Sequence, residues 1–109
     1  MKAPIEVTVD PECGVAYVRY LDKNAPFDGS LPLFRDPDGV VRDRPFCEVD
    51  YRWDGVHIDV TPDDDVMGIE ILSADDPMMV TLARDYAADN GLAFPADIRA
   101  AASAGDPAA

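Results

Sequence analysis

Residues 56–72 read VHIDVTPDDDVMGIEIL and decide the fold class of this chain. The stretch holds two runs rich in β-branched residues, Val56–Val60 and Val66–Leu72, on either side of a Pro-Asp-Asp-Asp turn. In the first run apolar and polar residues alternate, which is typical of a strand with one buried face. Two such runs joined by a short turn predict an antiparallel hairpin. The residues expected to face inward are Val56, Ile58 and Val60.

The rest of the N-terminal part is also strand-rich. A first strand at Ile5–Val9 and a second at Val15–Leu21 flank a Pro- and Gly-containing turn. Residues 22–30 have the composition of a loop. A hairpin is predicted with arms at Leu33–Arg35 and Val40–Arg42 around Asp-Pro-Asp-Gly, and a further strand at Cys47–Trp53 is expected to pair with Val56–Val60 across Asp54-Gly55.

After residue 74 the spacing of apolar residues changes from that of a strand to that of a helix. Asp75 or Asp76 is a candidate helix cap, Pro77 suits a first turn, and Asn90-Gly91 is a stop signal. An apolar stripe at helical spacing is formed by Met79, Leu82, Ala83 and Tyr86. A second helix is predicted from Phe94-Pro95 to about Ser103. The expected fold is therefore α+β, with a small antiparallel sheet of four to six strands followed by one or two C-terminal helices.

Length and charge limit the possible functions. A chain of 109 residues fits one domain, expected at 1–104 with a flexible tail at 105–109. Its 22 acidic and 9 basic residues give a net charge of −13, which disfavours nucleic acid and anionic membranes and would attract basic proteins. The alternative is that the charge serves solubility alone. The absence of an apolar signal segment predicts a cytoplasmic protein, in which Cys13 and Cys47 are expected to be free thiols.

Several of these strand residues carry a family resemblance. The turn before Ala16-Tyr17-Val18-Arg19, the later Ile58-Asp59-Val60, and the string Gly68-Ile69-Glu70-Ile71-Leu72 resemble the YuzE-like family of short bacterial proteins, a domain of unknown function. The likeness covers residues 5–20 and 55–72, so that 22–54 is interpreted as an insertion. Gly14 departs from the Asp that the family often has before its second strand. The resemblance implies a small antiparallel sheet and no reaction.

The chain has one histidine, so a metal site with two histidines is excluded. His57 and Asp59 are expected on one strand face, where they are candidate binding residues or simply exposed strand residues. Asp63, Asp64 and Asp65 form the candidate metal site, because oxygen ligands suit Ca²⁺ or Mg²⁺. The alternative is a solvated turn, since Asp is favoured in turns.

Three further binding candidates lie on other strands: Tyr17, Arg19 and Glu70. Glu70 is expected to need a partner such as Arg19, or else to be a carboxylate in a pocket. No motif specifies a catalytic set, and no cofactor is expected. The sequence favours a non-enzymatic interaction module, a homodimer that binds a basic protein such as a small toxin-like neighbour. The alternative is a small metal-dependent or acid/base enzyme that uses a carboxylate cluster.

Overall fold

The computed structural model of the protein describes residues 1–42 and 55–104. They form a six-stranded antiparallel sheet followed by two helices, which confirms the α+β class. The strands lie in the order β1-β2-β6-β5-β3-β4. Their bounds are β1 Glu6–Val9, β2 Ala16–Arg19, β3 Gly29–Asp36, β4 Gly39–Arg42, β5 Val56–Val60 and β6 Val66–Ile71, and the helices are α1 Pro77–Asp89 and α2 Ile98–Ala104. Within the described residues, no helix has the length and apolar character that crossing a membrane requires.

The hairpin predicted from residues 56–72 is confirmed. Strands β5 and β6 pair antiparallel from Val56 opposite Ile71 to Asp59 opposite Gly68, and the register then shifts at a bulge before Val60 meets Val66. Thr61 closes the turn, since its backbone N–H donates to the Asp65 carbonyl at 3.0 Å.

One face of the sheet packs under α1 to form the core. Val56, Ile58, Ile69 and Ile71 have no exposed surface, and Val60 is almost fully buried. The predicted apolar stripe of α1 meets this face through Leu82, Ala83 and Tyr86, which are all buried. Alternation along the strands thus predicted the buried side correctly.

Helix α1 begins and ends at the predicted signals. The Asp76 carboxylate accepts from the backbone N–H groups of Met78 and Met79, at 2.9 and 3.2 Å, with Pro77 in the first turn. At the other end Asn90 is the C-cap and Gly91 adopts a left-handed φ of 69°. These contacts satisfy backbone groups that an uncapped helix would leave without partners.

The second helix begins later than predicted. Helix α2 starts at Ile98, and the segment that precedes the predicted start pairs with the N-terminus, where the N–H of Ala93 donates to the Lys2 carbonyl at 2.8 Å. Asp97 then caps the helix by accepting from the N–H of Ala100 at 3.0 Å. The pairing of the N-terminal segment with residues 91–93 is a long-range contact that local propensity does not reveal.

Strand β3 also differs from the prediction. It begins at Gly29, inside the segment predicted to be a loop, and Gly29–Pro32 pairs with β5. The turn Asp36–Gly39 then leads into β4 as predicted, with Gly39 at a φ of 135°. The two edges of β5 are thereby occupied by β3 and β6. The predicted strand Cys47–Trp53 lies outside the described residues.

Candidate functional site on the polar face of the sheet

The five binding residues predicted from the sequence share one face of the sheet. They lie on the three adjacent strands β2, β6 and β5, and they alternate with residues that are wholly buried in the core. We call this surface, turned away from the core, the polar face. It is formed by Tyr17, Arg19, His57, Asp59 and Glu70. The structure therefore brings together, on a common surface, five residues that the sequence analysis had singled out separately.

The centre of the polar face is a hydrogen bond that crosses a strand. The Tyr17 hydroxyl on β2 donates to Asp59 Oδ2 on β5 at 2.8 Å, although β6 lies between them. Gly68 on β6 makes this possible, because a methyl group at Gly68 would overlap the outer atoms of the Tyr17 ring. The ring thus lies across β6 where that strand has no side chain.

Asp59 is held by a second donor. The Ser30 hydroxyl on β3 donates to Asp59 Oδ1 at 2.5 Å, so each carboxylate oxygen accepts a hydrogen bond, one from the adjacent strand β3 and one from β2 across β6. Burial raises the pKa of the Tyr17 hydroxyl, and its hydrogen bond to Asp59 raises that pKa further. The Tyr17 hydroxyl is therefore protonated at neutral pH and donates the hydrogen bond. The Asp59 carboxylate accepts it and is held in place.

Arg19 extends the polar face to the sheet edge. Its Nη2 lies 2.7 Å from Glu6 Oε1 on β1, and its guanidinium sits 5.6 Å from the centre of the Tyr17 ring. The expected Arg19–Glu70 ion pair is wrong: Arg19 pairs with Glu6, directly opposite it in the register. A cross-strand neighbour is the nearest available partner for a side chain on a pleated surface.

Glu70 has a different neighbour. Its Oε1 lies 4.0 Å from His57 Nδ1, on the adjacent strand at the position that faces it in the register. The Glu70 side chain is 40% exposed and that of His57 is 18% exposed. Glu70 therefore presents its carboxylate to solvent beside a mostly covered imidazole.

The candidate metal residues lie at the turn between β5 and β6. Asp63, Asp64 and Asp65 are all exposed, and Asp64 forms an ion pair with Arg42. Asp64 adopts a left-handed φ of 67°, a conformation that Asp tolerates in turns. Across residues 1–42 and 55–104, no group of three or more His, Cys, Asp or Glu side chains is arranged to hold a metal ion.

Many other carboxylates serve local structure. Asp10, Asp22 and Asp36 each accept from a backbone N–H two residues ahead, which is the usual Asp-stabilised turn. Asp76 and Asp97 cap the two helices. Part of the high Asp content is thus explained by turns and caps.

The basic side chains are largely neutralised within the molecule. Four arginines pair with carboxylates of the same chain: Arg19 with Glu6, Arg35 with Asp85, Arg42 with Asp64, and Arg99 with Asp75. These pairs are partly or fully exposed, so each contributes little to stability. Because these arginines are already paired, few cationic side chains remain to offset the negative charge of the other carboxylates.

Two residues of the site were not found from the sequence. Gly68 stands in the run Met-Gly-Ile-Glu-Ile, where a glycine inside a strand pattern indicates close approach by another group. Ser30 gave no signal, because its segment has the composition of a loop. The cross-strand contact of Ser30 with Asp59 depends on the pairing of β3 with β5.

Comparison of the chain with protein-family models, curated protein sequences and solved structures gives no significant match. The resemblance to the YuzE-like family thus stays a prediction. The geometry of the polar face must be interpreted from its own chemistry.

Proposed function

We propose that this protein is a non-enzymatic interaction module that binds a basic protein through its acidic surface. The proposal rests on the excess of acidic over basic residues. Five of the 22 acidic residues and two of the 9 basic ones fall in residues 43–54 and 105–109, which leaves 17 acidic and seven basic residues in the described part. Since four of those seven basic residues are paired internally, the field around the folded chain is strongly negative.

The polar face supports the same proposal. Glu6 and Glu70 carry partly exposed carboxylates on either side of the Tyr17 ring, whose hydroxyl is hydrogen-bonded to Asp59. Hydrogen bonds to Asp59 hold that centre in place, so that little side-chain freedom is lost when a partner binds. Complementary charge across an interface mainly gives specificity and a fast association rate.

One observation bears on the alternative of a carboxylate-based enzyme or metal binder, although no three such side chains of the described residues are arranged to hold a metal ion. The polar face brings His57, Asp59 and Glu70 onto neighbouring positions of two strands. Titration calorimetry with Mg²⁺, Ca²⁺ and Zn²⁺ tests this alternative. Saturable binding of one ion that is lost in Asp59→Asn and kept in Asp89→Asn would favour it over the interaction module.

The proposed function is tested with a defined cationic probe. An arginine nonapeptide should bind the protein at low ionic strength, and its dissociation constant should rise steeply as NaCl is added, because attraction between exposed charges is screened over about 8 Å at physiological salt. A glutamate nonapeptide and duplex DNA serve as controls and should not bind. Affinity for the arginine peptide that does not change with salt would contradict a charge-driven mode of binding.

Self-association and a cytoplasmic location belong to the same proposal. Within the described residues β1 and β4 are the edge strands of the sheet, and Val41 on β4 is 36% exposed. Edge strands can pair with a second copy, while the net charge opposes it. Sedimentation at low and high salt tests for the dimer. We expect a homodimer whose association becomes stronger as the salt concentration rises. A monomer at both salt concentrations would contradict self-association.

A further inference from the structure

The chain carries two side-chain amides, Asn24 and Asn90, and no glutamine. Both asparagines are exposed, but Asn24 is followed by alanine and Asn90 by Gly91. The backbone nitrogen that follows an asparagine can attack the carbonyl carbon of its side chain. Glycine hinders this attack least, because it has no Cβ and its backbone turns most freely. Asn90 is therefore the amide of this chain that is most open to such a reaction.

The C-cap of α1 keeps the reacting atoms of Asn90 and Gly91 apart. At Asn90 the backbone ψ is 15°, so the Gly91 nitrogen nearly eclipses the Asn90 nitrogen and is turned away from the Asn90 side chain. The Gly91 N–H donates to the Ala88 carbonyl at 3.3 Å, and Asn90 Nδ2 donates to the Tyr86 carbonyl at 2.8 Å. Attack therefore requires the backbone between Asn90 and Gly91 to rotate and these bonds to break.

The N-terminal segment opposes that rotation, because it pairs with residues 91–93. The Lys2 N–H donates to the Gly91 carbonyl at 2.9 Å, and the Ala93 N–H donates to the Lys2 carbonyl at 2.8 Å. Leu92, between the two bonded positions, is only 7% exposed. This corner of the molecule must open locally before the Gly91 nitrogen can turn. The rate of attack is thus set by that opening and not by the exposure of the asparagine alone.

A carboxylate at position 90 would stand in unfavourable surroundings. Helix α1 ends there, and the carbonyl end of a helix disfavours negative charge. Asn90 also lines a cleft of about 220 Å³ together with Lys2 and with the exposed residues Asp64 and Asp65. A new negative charge would be attracted by Lys2 and repelled by the two carboxylates and by the helix end. Conversion of the amide to an acid should therefore loosen the end of α1.

We propose that Asn90-Gly91 is a site of spontaneous deamidation that is controlled by the pairing of Lys2 with residues 91–93. The Gly91 nitrogen bonds to Asn90 Cγ, the Cγ–Nδ2 bond breaks, and ammonia leaves with the proton of the Gly91 N–H. Water then opens the cyclic imide at either carbonyl, which gives aspartate or isoaspartate. The product adds one negative charge at the end of α1. This inference is independent of the proposed function.

The test follows the mass gain of an amide-to-acid change by peptide mapping, after incubation of the folded protein at neutral and at mildly alkaline pH. The gain should occur at Asn90 and not at Asn24. It should be faster at alkaline pH, because the attacking nitrogen must lose its proton. A synthetic peptide of residues 87–93 gives the rate without the fold, and the folded protein should react at least about tenfold more slowly, since only its opened form reacts.

A pair of proline variants tests the control by the N-terminal segment. Lys2→Pro removes the N–H that donates to the Gly91 carbonyl and should speed the reaction at least about threefold. Lys23→Pro is the matched control. Lys23 is the second residue of the turn in which the Ala25 N–H donates to the Asp22 carbonyl, a position that suits proline. The control should leave the deamidation rate unchanged.

A pair of charge variants tests the effect of the product. Asn90→Asp should lower the midpoint of thermal unfolding by about 4 °C or more. Asn24→Asp adds the same charge in an exposed turn and should shift the midpoint by less than about 1 °C. Equal shifts would overturn the effect on α1.

Two further results would contradict the inference. A rate at Asn90 that equals the peptide rate, or that Lys2→Pro leaves unchanged, would overturn the control by the N-terminal segment. Absence of a mass gain at Asn90 after the peptide has reacted completely would overturn the site itself.

Discussion

The hydroxyl of Tyr17 on β2 and the carboxylate of Asp59 on β5 are joined by a 2.8 Å hydrogen bond although β6 lies between the two strands. The bond forms because Gly68 leaves room for the ring. It links β2 to β5 across β6, in addition to the backbone ladders, and Ser30 links β3 to the same carboxylate. The polar face is thereby fixed at its centre, while Glu6 and Glu70 remain accessible at its sides.

We expect Tyr17→Phe to lower the free energy of unfolding by about 1–3 kcal/mol, because Asp59 loses a donor in a partly buried position. Urea denaturation of Tyr17→Phe, Asp59→Asn and the double variant measures the coupling between the two groups. A coupling energy of at least about 0.5 kcal/mol is expected for directly bonded residues. Strictly additive single losses would show that the hydrogen bond does not contribute to stability.

Gly68→Ala should destabilise the sheet by roughly 1–3 kcal/mol, the usual cost of overpacking, because the new methyl group meets the Tyr17 ring. The three atoms nearest to that methyl group all belong to the Tyr17 side chain. In a Tyr17→Ala background, Gly68→Ala should therefore cost little or even stabilise the strand. Thermal unfolding measures the loss of stability in both backgrounds. An equal loss would show that the backbone of β6, and not the Tyr17 ring, disfavours alanine at this position.

Leu82→Ala tests the packing of α1 on the sheet. Leu82 is 2% exposed, and removal of a buried leucine side chain costs about 2–5 kcal/mol. Met78 lies on the same helix with 82% of its surface exposed, so Met78→Ala should stay within about 0.5 kcal/mol. Chemical denaturation of both variants checks this, and similar losses would contradict the assigned core face.

The tyrosines predict a loss of stability at alkaline pH. Burial raises the pKa of Tyr20 from 10.0 to about 12 and raises the pKa of Tyr17 and of Tyr86. Since folding favours the neutral phenol, this contribution is complete below pH 10 and is lost as the pH rises through about 12. Tyrosinate absorbance should show these three groups ionising late, together with unfolding. Ionisation of all tyrosines near pH 10 in the folded state would contradict the burial.

Much of the fold follows from local patterns in the chain. Alternation identified Val56, Ile58 and Val60 as core residues, and the Asp76, Pro77 and Asn90-Gly91 signals bounded α1. These features depend on neighbouring residues, which a sequence displays directly. The start of β3 at Gly29 depends instead on its pairing with β5, and residues 91–93 pair with the distant Lys2. Such distant pairings outweigh local propensity.

The side of its strand on which each candidate residue lies could be predicted from the sequence, and its hydrogen-bond partner could not. Alternation alone places Tyr17 and Arg19 on one side of β2, with His57 and Asp59 on the matching side of β5. The partner of each residue depends on strand order. With β6 between β2 and β5, Tyr17 reaches Asp59 over a glycine, and Arg19 turns to Glu6 on the outer strand.

If a basic partner is bound by charge, co-purification from the native cell should recover it. The tagged protein should retain a basic protein in stoichiometric amount at low ionic strength, identified by mass spectrometry, and should release it at high salt. A variant with Glu6, Glu70, Asp75 and Asp97 changed to their amides should retain much less of it. A partner that is acidic or neutral, or one that stays bound at high salt and to the amide variant, would contradict the account.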